Sequence, residues 1–152
     1  MLPTLNLLFH LHHEHEDERT TARAYAEVLA LVRQADRLPV DCVWFAEHHL
    51  SATRGRLPAP LLMAVAAARD TQRIRVGPCV LVLPLHAPLA VAEQIATADV
   101  LTDGRLAVGL GSGGNPEEFV AFGVPLGERP ARFAEAVEIV TRALAGEPFA
   151  YM

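Results

Sequence analysis

The feature of this sequence that most constrains its fold is the alternation of short apolar runs with longer segments of helical spacing. Four of the apolar runs have the length of buried β-strands, and they cover residues 4–11, 41–46, 74–83 and 106–110. A segment with helical character follows each of them. Because a strand must cross over a helix to return in the same direction, this order predicts a parallel α/β sheet with right-handed crossovers.

The helices are predicted from their ends as well as from their spacing. The long segments cover residues 20–38, 58–69, 88–101 and 128–145. Pro39 closes the first, and Gly146 lies just beyond the last. Pro58 and Pro60 open the second, where a missing amide proton costs little. Each long segment therefore carries a start or stop signal, a helical period, or both.

A shorter helix is predicted to begin at Pro116. Asn115 is a preferred N-cap residue, and Glu118, at the third helical position, is placed to reach back to the backbone amide of the cap. A proline fits the first helical position because the amide there has no partner within the helix. We expect a capped turn directly after the glycine-rich segment 111–114.

Size and charge exclude several classes of protein. The chain of 152 residues can bury a sizeable core, but an eight-unit βα barrel needs about 250 residues. A net charge of −5 with scattered basic residues offers no stripe for nucleic acid. Without a basic leader or a membrane-length apolar run, the sequence predicts a cytoplasmic protein with no membrane partner. Cys42 and Cys79 are expected to be reduced.

Chemistry in a parallel α/β sheet is expected on the loops at the carboxyl ends of the strands. Two clusters lie there: Glu47, His48 and His49 after the second strand, and His10, His12, His13 and His15 after the first. Histidine titrates near neutral pH, so the second cluster is a candidate acid or base, with a solvated loop as the alternative. For the first cluster the solvated loop is favoured. Its spacing matches no zinc signature, so a metal is a minor hypothesis and none is predicted.

A glycine-rich segment follows the fourth predicted strand. Gly109, Gly111 and Gly114 satisfy the G-x-G-x-x-G pattern of dinucleotide-binding folds. The pattern stands at the fourth strand rather than the first, however, and the acids that follow lie within a helical segment. The narrower prediction is a close approach of backbone to a ligand, with amides that attract an anion such as phosphate. A tight turn is the alternative.

Several segments together resemble the bacterial luciferase-like flavin-dependent monooxygenases. They are VWFAEHHL at residues 43–50, RVGPCVLVLP at 75–84, DGR at 103–105, VGLG at 108–111 and NPEEF at 115–119. The resemblance covers nearly the whole chain in unbroken order. It implies the N-terminal half of a TIM (β/α)8 barrel, with about four βα units in a single domain over residues 1–152 that stops before the later strands.

The same resemblance implies an enzyme that takes reduced FMN from a separate flavin reductase and uses dioxygen to oxygenate a small organic substrate. A related class uses a deazaflavin coenzyme for hydride transfer, and a non-catalytic half-barrel is the alternative of another kind. A homo-oligomer is expected, because four strands leave two open sheet edges. Since later strands supply further phosphate contacts in this family, we expect weak flavin binding and little activity from residues 1–152 alone.

The resemblance also assigns roles to individual residues. His48 matches the active-site histidine of the family, and His10 and His49 are expected in the substrate pocket. The expected cofactor-binding residues are Glu47, Cys79, Val80, Gly111 and Ser112. Cys79 and Val80 fall where the family's third strand passes behind the flavin, often through a strained or cis peptide. Bacterial luciferase has an arginine where this chain has Ser112, which implies a weaker hold on the flavin phosphate from this position.

Overall fold

The computed structural model describes residues 4–11, 18–50, 55–146 and 148–150. Its strands are β1 (Asn6–Phe9), β2 (Cys42–Phe45), β3 (Arg75–Val82) and β4 (Gly109–Gly111). Its helices are α1 (Glu18–Ala35), α2 (Pro60–Arg69), α3 (Pro88–Leu101), α4 (Pro116–Ala121) and α5 (Arg129–Ala145), with 3₁₀ turns at Leu83–Leu85 and Leu126–Glu128. In the described part of the chain, no helix is long and apolar enough to cross a membrane.

The four strands form one parallel sheet in the order β1-β2-β3-β4. The predicted parallel α/β architecture is therefore confirmed. Helix α3 has the predicted bounds, and α5 ends as predicted, with Gly146 in the left-handed conformation at φ 73°. The first three strands are one or two residues shorter at each end than predicted, because their flanking residues continue into loops.

The fourth strand was predicted wrongly at residues 106–110, since regular pairing begins only at Gly109. Leu106 forms an isolated bridge with Val76. Between these points the two backbone segments approach closely, and a Cβ atom on Gly77 would lie 1.5 Å from the carbonyl oxygen of Ala107. Only glycine fits at position 77, and this crossing, which the apolar pattern cannot reveal, displaces the start of β4.

The core lies between one face of the sheet and the helices. Val43, Phe45 and Val76 are fully buried there with Val32 of α1 and Ala64 of α2. Side chains alternate between the two faces of a strand, so their neighbours in sequence point to the other face. On β1 this alternation leaves Leu8 half exposed while Leu7 packs against the core.

Candidate active site

The residues predicted to carry chemistry lie at the carboxyl-terminal edge of the sheet. Phe45, the last residue of β2, pairs with Pro78, which places Cys79 one step beyond the end of β2. Val82, at the end of β3, pairs with Gly111, at the end of β4. Because all four strands are parallel, the loops that contain His10, His48 and Ser112 leave from this same edge.

The ring of His48 is held on several sides. Its backbone amide donates to the carbonyl of Leu57 at 3.1 Å, which ties the loop after β2 to the segment before α2. Its ring centroid lies 5.5 Å from that of His10, at an interplanar angle of 32°. Gly55 packs so closely that a Cβ atom there would lie 3.0 Å from Cδ2 of His48. The imidazole keeps 24% of its surface exposed, so a bound molecule can reach it.

Glu47 is a buried hub that joins β2 to the segment after β3. Its Oε1 accepts hydrogen bonds from Nε2 of His49 and Nε2 of His86, each at 2.6 Å. Its Oε2 accepts from the amide of Val82 at 2.8 Å. Burial raises the pKa of the Glu47 carboxyl, but the hydrogen bonds from His49, His86 and Val82 outweigh burial and lower it to about 2. Glu47 is therefore an ionised anchor, with both oxygens engaged by protein groups.

The sequence analysis missed His86. It follows the 3₁₀ turn Leu83–Leu85 at the end of β3, so the strand-end rule applied to the third strand was the signal that could have found it. Donor atoms of Glu47, His49 and His86 lie within 4.8 Å of one another, which is a spacing that a metal could use. In this structure the three side chains bond to each other, through Nε2 of each histidine and Oε1 of Glu47.

His49, predicted in the substrate pocket, is buried. Its ring meets the edge of Phe122 at a centroid distance of 4.7 Å, and its Nε2 is bound to Glu47. The arrangement fixes the wall formed by α4 and the loop after β2. His12, His13 and His15 of the first predicted cluster lie outside the described residues.

Glu118 does not cap its own helix as predicted. Asn115 does cap α4, since its Oδ1 accepts from the amide of Glu117 at 3.3 Å. The Oε1 of Glu118 accepts instead from the backbone amide of His49 at 3.0 Å and lies 3.6 Å from Nδ1 of His48. These residues are 69 positions apart in sequence, so local capping rules could not indicate the contact.

The peptide bond between Cys79 and Val80 is cis, as the resemblance implied. The pairing of β3 with β4 shifts register here, so Val80 is the extra residue of a bulge. Cys42 and Cys79 are both free thiols, and burial raises the pKa of the Cys42 thiol to about 11. The cis peptide, the bulge and the close glycines of β4 occupy one short stretch of the sheet edge.

A cationic side chain stands beside the glycine-rich segment. Arg129, at the start of α5, donates from Nη1 to the carbonyl of Gly113 at 3.1 Å. Within the described ranges, two buried side-chain nitrogens lack a hydrogen-bond partner, namely Nε of Arg129 and Nδ2 of Asn115. Buried donors of this kind are rarely left unpaired. Sequence reasoning missed Arg129, because its distance of 16 residues from Gly113 hides their proximity.

Comparison with known proteins identifies the relatives of this chain. The sequence model of the luciferase-like monooxygenases matches residues 6–152. 4-Hydroxyprotoasukamycin monooxygenase of Streptomyces nodosus subsp. asukaensis is 35% identical over 78% of this chain and 32% of its own length. The oxygenase component of a flavin-dependent trigonelline monooxygenase from Acinetobacter baylyi is 30% identical over 68% of this chain and 28% of its own length.

Solved structures share the fold. The monooxygenase RslO1 from Streptomyces bottropensis superimposes with a TM-score of 0.88 at 32% identity, over 98% of this chain and 44% of that one. The oxygenating constituent of 3,6-diketocamphane monooxygenase from Pseudomonas putida, in complex with FMN, gives 0.91 at 23% identity, over 100% and 42%. A coenzyme F420-dependent tetrahydromethanopterin reductase from Methanopyrus kandleri gives 0.69 at 21% identity, over 98% and 42%. The chain thus spans less than half the length of each of these proteins, and its fold is half of a TIM barrel.

Proposed function

This chain belongs to the luciferase-like monooxygenase family, and from that premise we propose that it forms part of an oxygenase that uses reduced FMN and dioxygen to oxidise a small organic substrate. The observation that carries the proposal is the setting of His48. A partly exposed imidazole stands at the carboxyl edge of the sheet, with its ring 5.5 Å from that of His10 and its Nδ1 3.6 Å from a buried carboxylate. That is the setting of an acid or base rather than of a structural histidine.

The residues present fit the anionic end of a flavin cofactor. A phosphate needs hydrogen-bond donors and positive charge, and Arg129 beside the glycine-rich segment offers both. The unpaired Nε of Arg129 and Nδ2 of Asn115 are the donors that such a group would satisfy. Arg129 thereby supplies the guanidinium that Ser112 cannot, and this offsets the weaker phosphate hold expected from the serine. In the proposed site Gly111, Ser112, Cys79 and Val80 border the rest of the cofactor.

When bound, reduced FMN supplies the two electrons for the activation of dioxygen. The chain itself supplies a group for proton transfer and the side chains that shape the site. His48 accepts or donates a proton, and the ring of His10 lies 5.5 Å from its own. Glu47 contributes by holding His49 and His86 rather than by contact with the reacting atoms, because both of its oxygens are engaged. His49 and Phe122 are in edge-to-face contact and form one side of the proposed pocket.

A deazaflavin-dependent oxidoreductase is the second candidate. The fold similarity to the F420-dependent reductase favours it. Each coenzyme carries a ring system joined to a phosphate group. The donors of Arg129 could therefore bind the phosphate of either one. A non-catalytic flavin-binding half-barrel is the third candidate.

A flavin reductase is the proposed protein partner. The trigonelline relative is an oxygenase component, and such a component receives its reduced flavin from elsewhere. A homo-oligomer is also proposed. Exposed apolar side chains support it, namely Leu8 on the sheet and Leu62 and Val100 on helices α2 and α3.

Anaerobic titration followed by oxygen separates the candidates. We expect the chain to bind reduced FMN weakly and, at saturating flavin, to slow the return of oxidised-flavin absorbance after mixing with oxygenated buffer. His48→Ala should shorten this delay by at least about tenfold, which is the low end of acid–base effects. Leu50→Ala, on the same loop with its side chain exposed, is the matched control and should behave as wild type.

Other outcomes would point elsewhere. Retention of the deazaflavin coenzyme without retention of FMN would overturn the oxygenase proposal in favour of the second candidate. Retention of FMN with reoxidation at the rate of free flavin, unchanged by His48→Ala, would favour the non-catalytic half-barrel.

A further inference from the structure

The two ring nitrogens of His48 have different surroundings. Nδ1 lies 3.6 Å from Oε1 of Glu118, whose side chain is only 4% exposed. Cδ2, the ring carbon bonded to Nε2, lies against the backbone of Gly55 on another side of the ring. Thus Nδ1 faces a buried carboxylate, while the His48 side chain as a whole keeps 24% of its surface exposed.

A carboxylate at this distance selects between the forms of the imidazole. A neutral histidine carries its proton on one nitrogen, and an ionised carboxylate can only accept. The form with the proton on Nδ1 is stabilised by the charge of Glu118, whereas the other form would direct a lone pair at that charge.

The position of the Glu118 carboxylate does not depend on His48. Its Oε1 accepts from the amide of His49 at 3.0 Å, which fixes the oxygen on the loop that carries the imidazole. Helix α4 is capped by Asn115 and anchored by Phe119, which is fully buried. The carboxylate is therefore held in place before any ligand binds, as electrostatic support for a reaction requires.

We propose that Glu118 is a positioning residue that acts through His48, by keeping the proton of the neutral imidazole on Nδ1 and leaving Nε2 as the proton acceptor. The catalytic consequence rests on the proposed oxygenase function. The tautomer does not, because it is a property of the folded chain. A purely structural Glu118, which only supports the amide of His49, would affect stability and leave the tautomer unchanged.

The test is the ¹⁵N spectrum of the histidine rings, in which protonated and unprotonated nitrogens have distinct chemical shifts. His48 is assigned by its loss in His48→Gln. We expect wild type to carry the proton on Nδ1. In Glu118→Gln, which keeps an oxygen for the amide of His49 but removes the charge, we expect the tautomer ratio to move about tenfold toward Nε2–H.

The matched control is Glu117→Gln, which removes the same charge one residue earlier, from the exposed face of α4. It should leave the ratio unchanged. A wild-type His48 protonated on Nε2, or equal ratios in wild type and Glu118→Gln, would overturn the proposal. If Glu118→Gln melts below the measuring temperature, Glu118→Asp, which withdraws the charge from the ring, is expected to show the same shift.

A second readout separates this proposal from the proposed function. With an active holoenzyme, Glu118→Gln should lower kcat about tenfold at unchanged KM for flavin, whereas Glu117→Gln should alter neither. If the wild-type protein shows no turnover with any flavin, the oxygenase proposal fails. The ring spectrum still decides the role of Glu118. Normal turnover in Glu118→Gln together with a shifted tautomer would show that Glu118 sets the tautomer but that the tautomer does not affect catalysis.

Discussion

Val80 lies across the backbone of Gly111, so closely that a Cβ atom at position 111 would stand 2.3 Å from Cγ2 of Val80. Val80 is the extra residue of the bulge between β3 and β4, and the peptide bond before it is cis. The absence of a side chain at position 111 is what lets Val80 occupy this place. Gly111 is therefore explained by packing against the neighbouring strand, without any need for a dinucleotide motif.

Gly111→Ala is expected to destabilise the protein by about 2 kcal/mol, because the new methyl group overpacks against Val80. Thermal or urea unfolding measures the change. Gly127→Ala is the matched control, since a Cβ atom there meets nothing within 4 Å. Adding Val80→Ala to Gly111→Ala should recover part of the loss by removing both γ-methyl groups. A double variant no more stable than Gly111→Ala would show that the contact with Val80 is not the cause.

Glu47→Gln tests the buried hub through the pH dependence of stability. The pKa of Glu47 falls from its ordinary 4.5 to about 2 in the folded chain, so its ionised form contributes about 3 kcal/mol above the ordinary pKa. That contribution is lost as the pH falls from the ordinary pKa of 4.5 to the folded-state pKa of about 2. The difference in unfolding free energy between wild type and Glu47→Gln should therefore shrink between about pH 5 and about pH 2.

Glu93→Gln, on the exposed side of α3, is the control for that experiment and should give a curve parallel to wild type. A constant difference between wild type and Glu47→Gln across the whole pH range would contradict the ionised hub.

Arg129→Lys tests the proposed phosphate contact. Lysine keeps the charge but loses the planar guanidinium with its several donors, so affinity for FMN should drop about tenfold while affinity for riboflavin, which lacks the phosphate, stays the same. Fluorescence titration gives both constants. Arg132→Lys is the control, because that guanidinium is exposed and pairs with Glu128 at 2.9 Å. Equal losses for FMN and riboflavin would mean that Arg129 acts on the fold instead.

Self-association is tested by the mass of the protein in solution. Leu62 and Val100 are 73% and 76% exposed on α2 and α3. If these helices pair between copies, Val100→Glu should shift the mass toward the monomer, because burying a carboxylate in an apolar contact is unfavourable. Thr141→Glu, at an exposed position of α5, shows the effect of the added charge alone. An unchanged oligomer in Val100→Glu would show that helices α2 and α3 do not form the interface, and the sheet face around Leu8 would then be the remaining candidate.

The sequence was most informative where local signals were dense. Helix α3 was predicted with its observed bounds, and the start of α4 and the end of α5 followed from Asn115 and Gly146. The start of β4 was missed, because Gly77 meets Ala107 through a contact between distant segments that local periodicity does not encode. The roles predicted for His48, Cys79 and Ser112 stay predictions.

The sequence by itself determined the order of the elements, the parallel sheet and the family, since hydrophobic period, turn residues and strand-end motifs are local properties of the chain. Only the tertiary structure decided which side chains meet at the sheet edge. Glu118 reaches His48, and Glu47 reaches His86, across separations that no spacing rule describes. The physical reason is that packing sets these contacts: helix α4 turns Glu118 toward the loop of His48, where its Oε1 accepts a hydrogen bond from the amide of His49.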